Sequence, residues 1–166
     1  MGMSGVYMAV GDKDLKKLIG AQNDELLDRL EELEEKNDSC NIDKMWDGLH
    51  FLLTGVSALS PIEHDKLSEA IVGVTNFSLD EDADFITYTK NKELKEIIDA
   101  MQKVDQEALK ANLDLARFRK NDIYPDIWND DEKEELFAEM IDAFNSILSF
   151  YKQTLEKGQN IVVSIY

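Results

Sequence analysis

Ile42-Asp43-Lys44-Met45-Trp46-Asp47-Gly48-Leu49-His50-Phe51-Leu52-Leu53-Thr54-Gly55 is the densest apolar stretch of the chain. It holds one of the two tryptophans and one of the two histidines. Ile42, Met45, Trp46, Leu49, Leu52 and Leu53 recur at three and four positions, the spacing of one helical face. Asn41 or Asp43 can cap the start, and Gly55 can take the left-handed conformation that ends a helix. A helix this apolar in a strongly acidic chain is expected to be buried.

Working outward, Ser4 to Val10 reads as a strand whose two faces are both coverable, since Val6, Met8 and Val10 alternate with Tyr7 and Ala9. Gly11-Asp12 breaks it and opens a short helix carrying Leu15, Leu18 and Ile19. Asn23-Asp24 starts a second helix with Leu26, Leu27, Leu30 and Leu33 on one side and Asp28, Glu31, Glu32, Glu34 and Glu35 on the other. Asn37 to Asn41 reads as a loop. Beyond Gly55, Pro61 is expected to start a helix of about two turns. Ala70 to Thr75 can extend that helix or form a strand, and Ser78 to Asp84 is an acidic loop. Asp84 to Thr89 has strand-type residues in alternation. Asn91–Lys103 and Asp105–Phe118 are predicted helices. Asn129 to Lys157 is the longest element, with an apolar stripe from Leu136 to Leu155 and acids in its first turns, where the helix dipole favours them. Ile161 to Tyr166 is a strand apolar on both faces except at Ser164, which suggests a central place in a sheet.

Helices and strands do not alternate regularly, which favours α+β. The expected fold is a small mixed β-sheet built from both termini and middle strands, packed with several helices including one long C-terminal helix. A length of 166 residues suits one domain spanning 1–166.

Three blocks in this order, Met1-Gly2-Met3-Ser4-Gly5-Val6-Tyr7, Asp43 to Gly55, and Ile123-Tyr124-Pro125-Asp126-Ile127-Trp128, resemble the YfbM-like family of small bacterial proteins of unknown function. The resemblance spans essentially the whole chain, although Ser57 to Asp84 does not match closely. It implies a closing long helix and final strand. It implies no activity and no catalytic residues.

Composition narrows the function classes. Against 18 basic residues stand 35 acids, a formal net charge of −17. Nucleic acid and anionic membranes are disfavoured partners, because their phosphates would be repelled. The surface suits a basic protein partner or cations, with solubility alone the simpler account. Cys40 is the single cysteine, so no intrachain disulfide forms and a reducing compartment fits. No signal peptide pattern and no apolar run long enough to span a bilayer is present. The position-6 Ser or Thr of a myristoylation motif is replaced by Val6. A cytoplasmic location is expected.

The candidate chemistry gathers around the opening stretch. Asp43, Asp47 and His50 lean to one side of the helix, but no further ligand stands at diagnostic spacing, so no metal is assigned. The residue before Pro125 is pushed to extended angles, so Tyr124 to Trp128 is a loop whose rings need burial. The helix of Trp46 is the natural wall. A core plug is favoured over a pocket, with Trp46 the more buried tryptophan. In the pocket version Trp46, Asp47, His50, Tyr124, Asp126 and Trp128 form a constellation suited to binding or acid–base work.

Other motifs fall short. Gly55-Val56-Ser57-Ala58-Leu59 lacks the second glycine of a nucleophile elbow and follows a helix. The charges of Asp38 and Asp43 are expected to raise the Cys40 thiol pKa. His64 reads as an exposed residue at a helix start. Asp80, Asp82 and Asp84 begin like a calcium loop, but Phe85 and Asn91 break the pattern. No motif calls for a cofactor. The resulting reading is a non-enzymatic acidic protein-interaction or binding module of the regulator, adaptor or antidote kind. Its rival is an enzyme or small-molecule-binding protein with a pocket between the Trp46/His50 helix and the Tyr124–Trp128 loop.

Overall fold

The computed structural model describes residues 2–77 and 85–166. Among them are five strands and eight α-helices in an α+β arrangement. The chain opens with β1 (Gly5–Val10), α1 (Asp12–Ile19) and α2 (Asn23–Glu34), followed by β2 (Ser39–Asn41). A 3-10 turn over Asp43–Met45 leads into α3 (Trp46–Thr54), then α4 (Lys66–Val72) and the β3 (Thr75–Asn76)–β4 (Phe85–Thr89) pair. Next come α5 (Asn91–Gln102), α6 (Gln106–Ala111) and α7 (Leu115–Lys120), and finally the long α8 (Lys133–Glu156) and β5 (Asn160–Ile165).

The strands form one sheet in the order β2-β1-β5-β4-β3. Every adjacent pair is antiparallel, so the sheet is not mixed as expected. The two terminal strands lie side by side, with Gly5 opposite Ile165 and Val10 opposite Asn160. Ser4 and Tyr166 continue the ladder through reciprocal backbone hydrogen bonds. β5 is the middle strand, and burial on both faces explains the apolar run Ile161–Val163 and the buried Ile165 beyond Ser164.

Alternation assigns the two faces. Tyr7, Ala9, Ile161, Val163 and Ile165 join the main core, to which α3, α4, α5 and α8 all contribute. Met8, Val10, Val162 and Ile86 face α1 and α2, packing on Leu15, Leu18, Leu26 and Leu30. A one-residue slip would exchange these sets, so the pattern pins the register. From α8, Leu136, Phe137, Met140, Phe144, Ile147 and Tyr151 are buried, while Ile141, Leu148 and Leu155 pack at the margin.

Four local expectations are corrected. Ser39–Asn41, read as loop, is an edge strand. Its three polar residues carry no strand pattern, and the pairing is dictated by β1. The 42–55 helix starts with a 3-10 turn: Asn41 Oδ1 accepts from the Asp43 N–H at 2.8 Å, and Asp43 sits at φ 50°. Gly55 ends it at φ 81°, donating to the Phe51 carbonyl. No helix starts at Pro61. The 61–65 segment turns through His64 at φ 64°, and α4 starts instead behind Asp65, whose Oδ1 accepts from the Ser68 N–H at 2.9 Å. The 105–118 helix is broken into α6 and α7, with Asp114 capping the second. Leu113, Leu115 and Phe118 are all buried, and the first two would point to opposite sides of a continuous helix. The acidic loop read over Ser78 to Asp84 lies outside the described residues.

α4 is only seven residues long, yet its C-terminal carbonyls are all answered. The Ala70 carbonyl accepts from Tyr151 Oη at 2.5 Å, Ile71 from Tyr7 Oη at 2.6 Å and Val72 from Thr87 Oγ1 at 2.6 Å. Hydroxyls from α8, β1 and β4 thus replace the partners that a helix end lacks. Burial pushes both tyrosine hydroxyls far above their usual pKa, so they remain donors.

Candidate functional site

α3 occupies the centre of the main core, and its polar residues are as buried as its apolar ones. Asp47 is 1% exposed and His50 0%. A carboxylate cannot stay there unsatisfied. Asp47 Oδ1 accepts from Ser57 Oγ and from the Ala58 N–H, each at 2.8 Å, and Oδ2 accepts from the Tyr124 N–H at 2.8 Å. One side chain therefore ties three segments: α3, the loop that follows it, and the 123–128 loop.

His50 turns the other way, toward α4. Its Nδ1 lies 2.8 Å from the Val56 carbonyl, which can only accept, so Nδ1 carries the proton. Nε2 is then the acceptor for Ser68 Oγ at 2.7 Å, and Ser68 Oγ accepts in turn from the Ile62 N–H at 3.0 Å. Thr54 Oγ1 donates to the His50 carbonyl at 2.8 Å. Burial pushes the imidazole pKa below its usual value, against the opposing pull of the Val56 carbonyl and of Asp47 and Asp65. His50 is neutral. An imidazole accepting from a serine hydroxyl is the geometry that activates a nucleophile. Ser68, however, is wholly buried and its oxygen already holds a backbone N–H. The chain Val56–His50–Ser68–Ile62 works as a strap that closes the 56–62 loop over α3 and α4.

The tryptophans fill the far side of α3. Trp46 is 2% exposed and Trp128 3%. Trp46 Nε1 donates to the Met3 carbonyl at 3.0 Å, and its ring stacks on Tyr124 at 5.3 Å. Trp128 Nε1 donates to the Ile123 carbonyl at 2.8 Å, and its ring packs on Phe118 at 4.7 Å. The Trp128 ring lies so close to Gly48 that a Cβ there would stand 2.2 Å from Cη2. Tyr124 is half-buried, with its hydroxyl accepting from the Met3 N–H at 2.6 Å, and the Tyr124–Pro125 peptide is cis.

Of the six residues singled out in the sequence, Trp46, Asp47, Tyr124 and Trp128 thus meet at one junction. His50 faces away from it, and Asp126 is exposed. Asp47 and His50 share no hydrogen bond among the described contacts; each has its own partners. Open space lies behind Ser68. It is a cleft of about 400 Å³ lined by the 61–64 turn, by Ser68 and Glu69 of α4, and by Asn76, Phe85 and Thr87 of the β3–β4 edge. Sequence reasoning passed over Ser68. The Asp65-x-x-Ser68 spacing announces a helix cap, but nothing local announces a histidine 18 positions away.

The remaining candidates are dispersed. Asp43 is exposed while Asp47 and His50 are inside, and no group of three or more His, Cys, Asp or Glu among the described residues is placed to hold a metal ion. Cys40 is half-buried on β2, and its thiol pKa is raised by burial rather than by neighbouring carboxylates. His64 is exposed in a turn, not at a helix start. The Asp80–Asp84 alternation lies outside the described residues. No helix among the described residues is long and apolar enough to cross a membrane.

A family model described as a domain of unknown function, DUF1877, matches residues 1–164. Protein YfbM of Escherichia coli (strain K12) is 31% identical over 167 residues, covering 99% of each chain. The crystal structure of YfbM from Escherichia coli, a protein of unknown function, superposes with a TM-score of 0.84 at 28% identity, covering 98% of this chain and 99% of that one.

Proposed function

The chain belongs to the DUF1877 family, and from its own surface we propose that it is a non-enzymatic, single-domain interaction module over residues 1–166 that binds a basic protein partner. One observation carries the reading, the disposition of charge. The formal net charge is −17, and these acids stand outside: Asp28, Glu31, Glu32 and Glu34 of α2 and Glu35 just after it are exposed, as are Asp131, Glu132, Glu134 and Glu135 around the start of α8. The groups with acid–base chemistry on α3 are enclosed and engaged. A potential of this sign speeds encounter with a positive surface and repels nucleic acid and anionic lipid. A regulator, an adaptor or an antidote to a basic protein would use it in the same way.

The test is binding of basic proteins to the immobilised chain across a salt series, with Glu31, Glu32, Glu34 and Glu35 all changed to Gln in a variant. Folding should be unaffected, since exposed charges contribute little to stability. Affinity should fall both with salt and with neutralisation. Binding that survives both changes would overturn the reading.

A second reading, small-molecule binding, is favoured by the cleft behind Ser68, whose size suits a small ligand. A ligand screen by NMR would detect it through shifts of Asn76 and Thr87. Shifts confined to other surfaces would remove this reading.

A further inference from the structure

The second face of the sheet is covered by α1 and α2 over β1 and β5, and the cover ends before the C-terminal end of β5. There Ser164 is only half-buried, opposite Val6 on one side and Ile86 on the other. A groove of about 300 Å³ runs between this end of the sheet and α2. Leu30 and Ile86, both buried, form its floor, and Leu27 and Tyr166, 38% and 59% exposed, form its lips. Glu31 and Glu34 complete the lining with Ser164, and no basic side chain contributes among the described residues. Leu27, Leu30, Glu31 and Glu34 follow the i, i+3, i+4, i+7 spacing, so α2 offers the groove one stripe that is apolar at one end and acidic at the other. Tyr166 Oη donates to Glu34 Oε1 at 3.1 Å, which holds the lip against the acidic rim.

We propose that this groove is the docking site for a basic amphipathic helical segment of a partner protein, its apolar side chains on Leu27, Leu30 and Ile86 and its Lys or Arg residues on Glu31 and Glu34. The inference rests on the interaction-module reading above and gives that reading an address. Charge selects the occupant. Beside the two lining carboxylates, the exposed Asp24, Asp28 and Glu35 flank the stripe on its Glu31 side, and the cation within α2, Arg29, is held by Glu25 at 2.7 Å. An anionic surface is excluded by repulsion. A second copy of this chain would bring another −17 to the interface. The volume admits a few aliphatic side chains rather than a whole helix, so the segment lies across the groove with one face down, the mode of helix-in-groove recognition.

The test uses the full chain with two labelled synthetic peptides of identical Leu and Lys content, one with apolar residues at helical spacing and one with the order scrambled. Binding is followed by fluorescence anisotropy, and the α2 and β5 resonances by NMR. The amphipathic peptide should bind at least about tenfold more tightly than the scrambled one, with shifts at Leu27, Ile86 and Ile165. Leu27→Ser combined with Tyr166→Ser should abolish that preference while leaving the salt-sensitive component. Both side chains are exposed, so the fold should survive, as a melting curve checks. Glu134→Gln with Glu135→Gln, on α8, should leave the preference for the amphipathic peptide unchanged. Equal binding of the two peptides, or shifts at α8 instead of α2, would overturn the groove and leave the charge reading standing. No salt-sensitive binding of either peptide would overturn both. A dimer in sedimentation that Leu27→Ser dissolves would show the groove to be a self-interface and overturn the proposal.

Discussion

Asp47 and His50 have the chemistry of a catalytic pair and the surroundings of structural ties. A buried carboxylate with three donors is among the costlier groups to disturb. Asp47→Asn keeps the shape, but its amide NH₂ must face either the Tyr124 N–H or the Ala58 N–H, whichever way it turns. The expected loss is about 2–3 kcal/mol in a urea titration; an unchanged midpoint would show that the carboxylate charge is immaterial. For His50 the direction follows from linkage. Its folded-state pKa lies below the ordinary value of 6.5, so below that pH the unfolded chain binds a proton that the native chain refuses. The contribution is fully present above pH 6.5 and falls away as the solution is acidified, by at most about 1.4 kcal/mol per pH unit. His50→Gln should be less stable at neutral pH yet show a shallower loss between neutral and mildly acidic pH. Parallel stability curves for the two proteins would mean that His50 does not titrate with unfolding.

At the scale of elements, the chain closes on itself through β5. The strand pairs with β1 over six positions and with β4 over five, and it joins the two halves of the sheet. Deleting Val162–Tyr166 removes four of the six positions facing β1 and splits the sheet. The truncated chain should be unfolded by circular dichroism. A cooperative transition at the full-length temperature would show that β1 and β4 do without their common neighbour. α4 makes the complementary point. Seven residues carry too few internal hydrogen bonds for an independent helix, and this one persists because tyrosines from β1 and α8 hold its end.

For the whole molecule the dominant physical fact is charge. With 35 acids and 18 bases, the compact state works against its own repulsion. Ion pairs offset little of this, since those of Arg29, Arg119 and Lys157 are largely exposed. The melting temperature should therefore rise with sodium chloride up to about 0.5 M, as the screening length falls well below the ~10 Å of 0.1 M salt. A flat or falling dependence would place the acids in compensating environments rather than on an open surface.

What the sequence determines by itself is whatever depends on neighbours in the chain. Periods of two and of about three and a half mark β1, β4, β5, α3, α5 and α8, and the double-faced apolar run of β5 even marks its central place. Gly55 as a helix end is local too. The tertiary structure alone decides features whose partner is far along the chain. β2 is a strand only because β1 offers it an edge. The 105–118 stretch breaks because three apolar residues must all reach one core. Pro61 can open a helix, yet the Asp65 cap and the strap from His50 through Ser68 settle the chain otherwise. The same holds for the candidate site. That Trp46 and Trp128 meet follows from apolar residues seeking a common interior, which the sequence already implies. That Asp47 is satisfied by Tyr124 across 77 positions, and His50 by Ser68 across 18, does not, because a hydrogen bond depends on ångström-scale placement that no periodicity encodes.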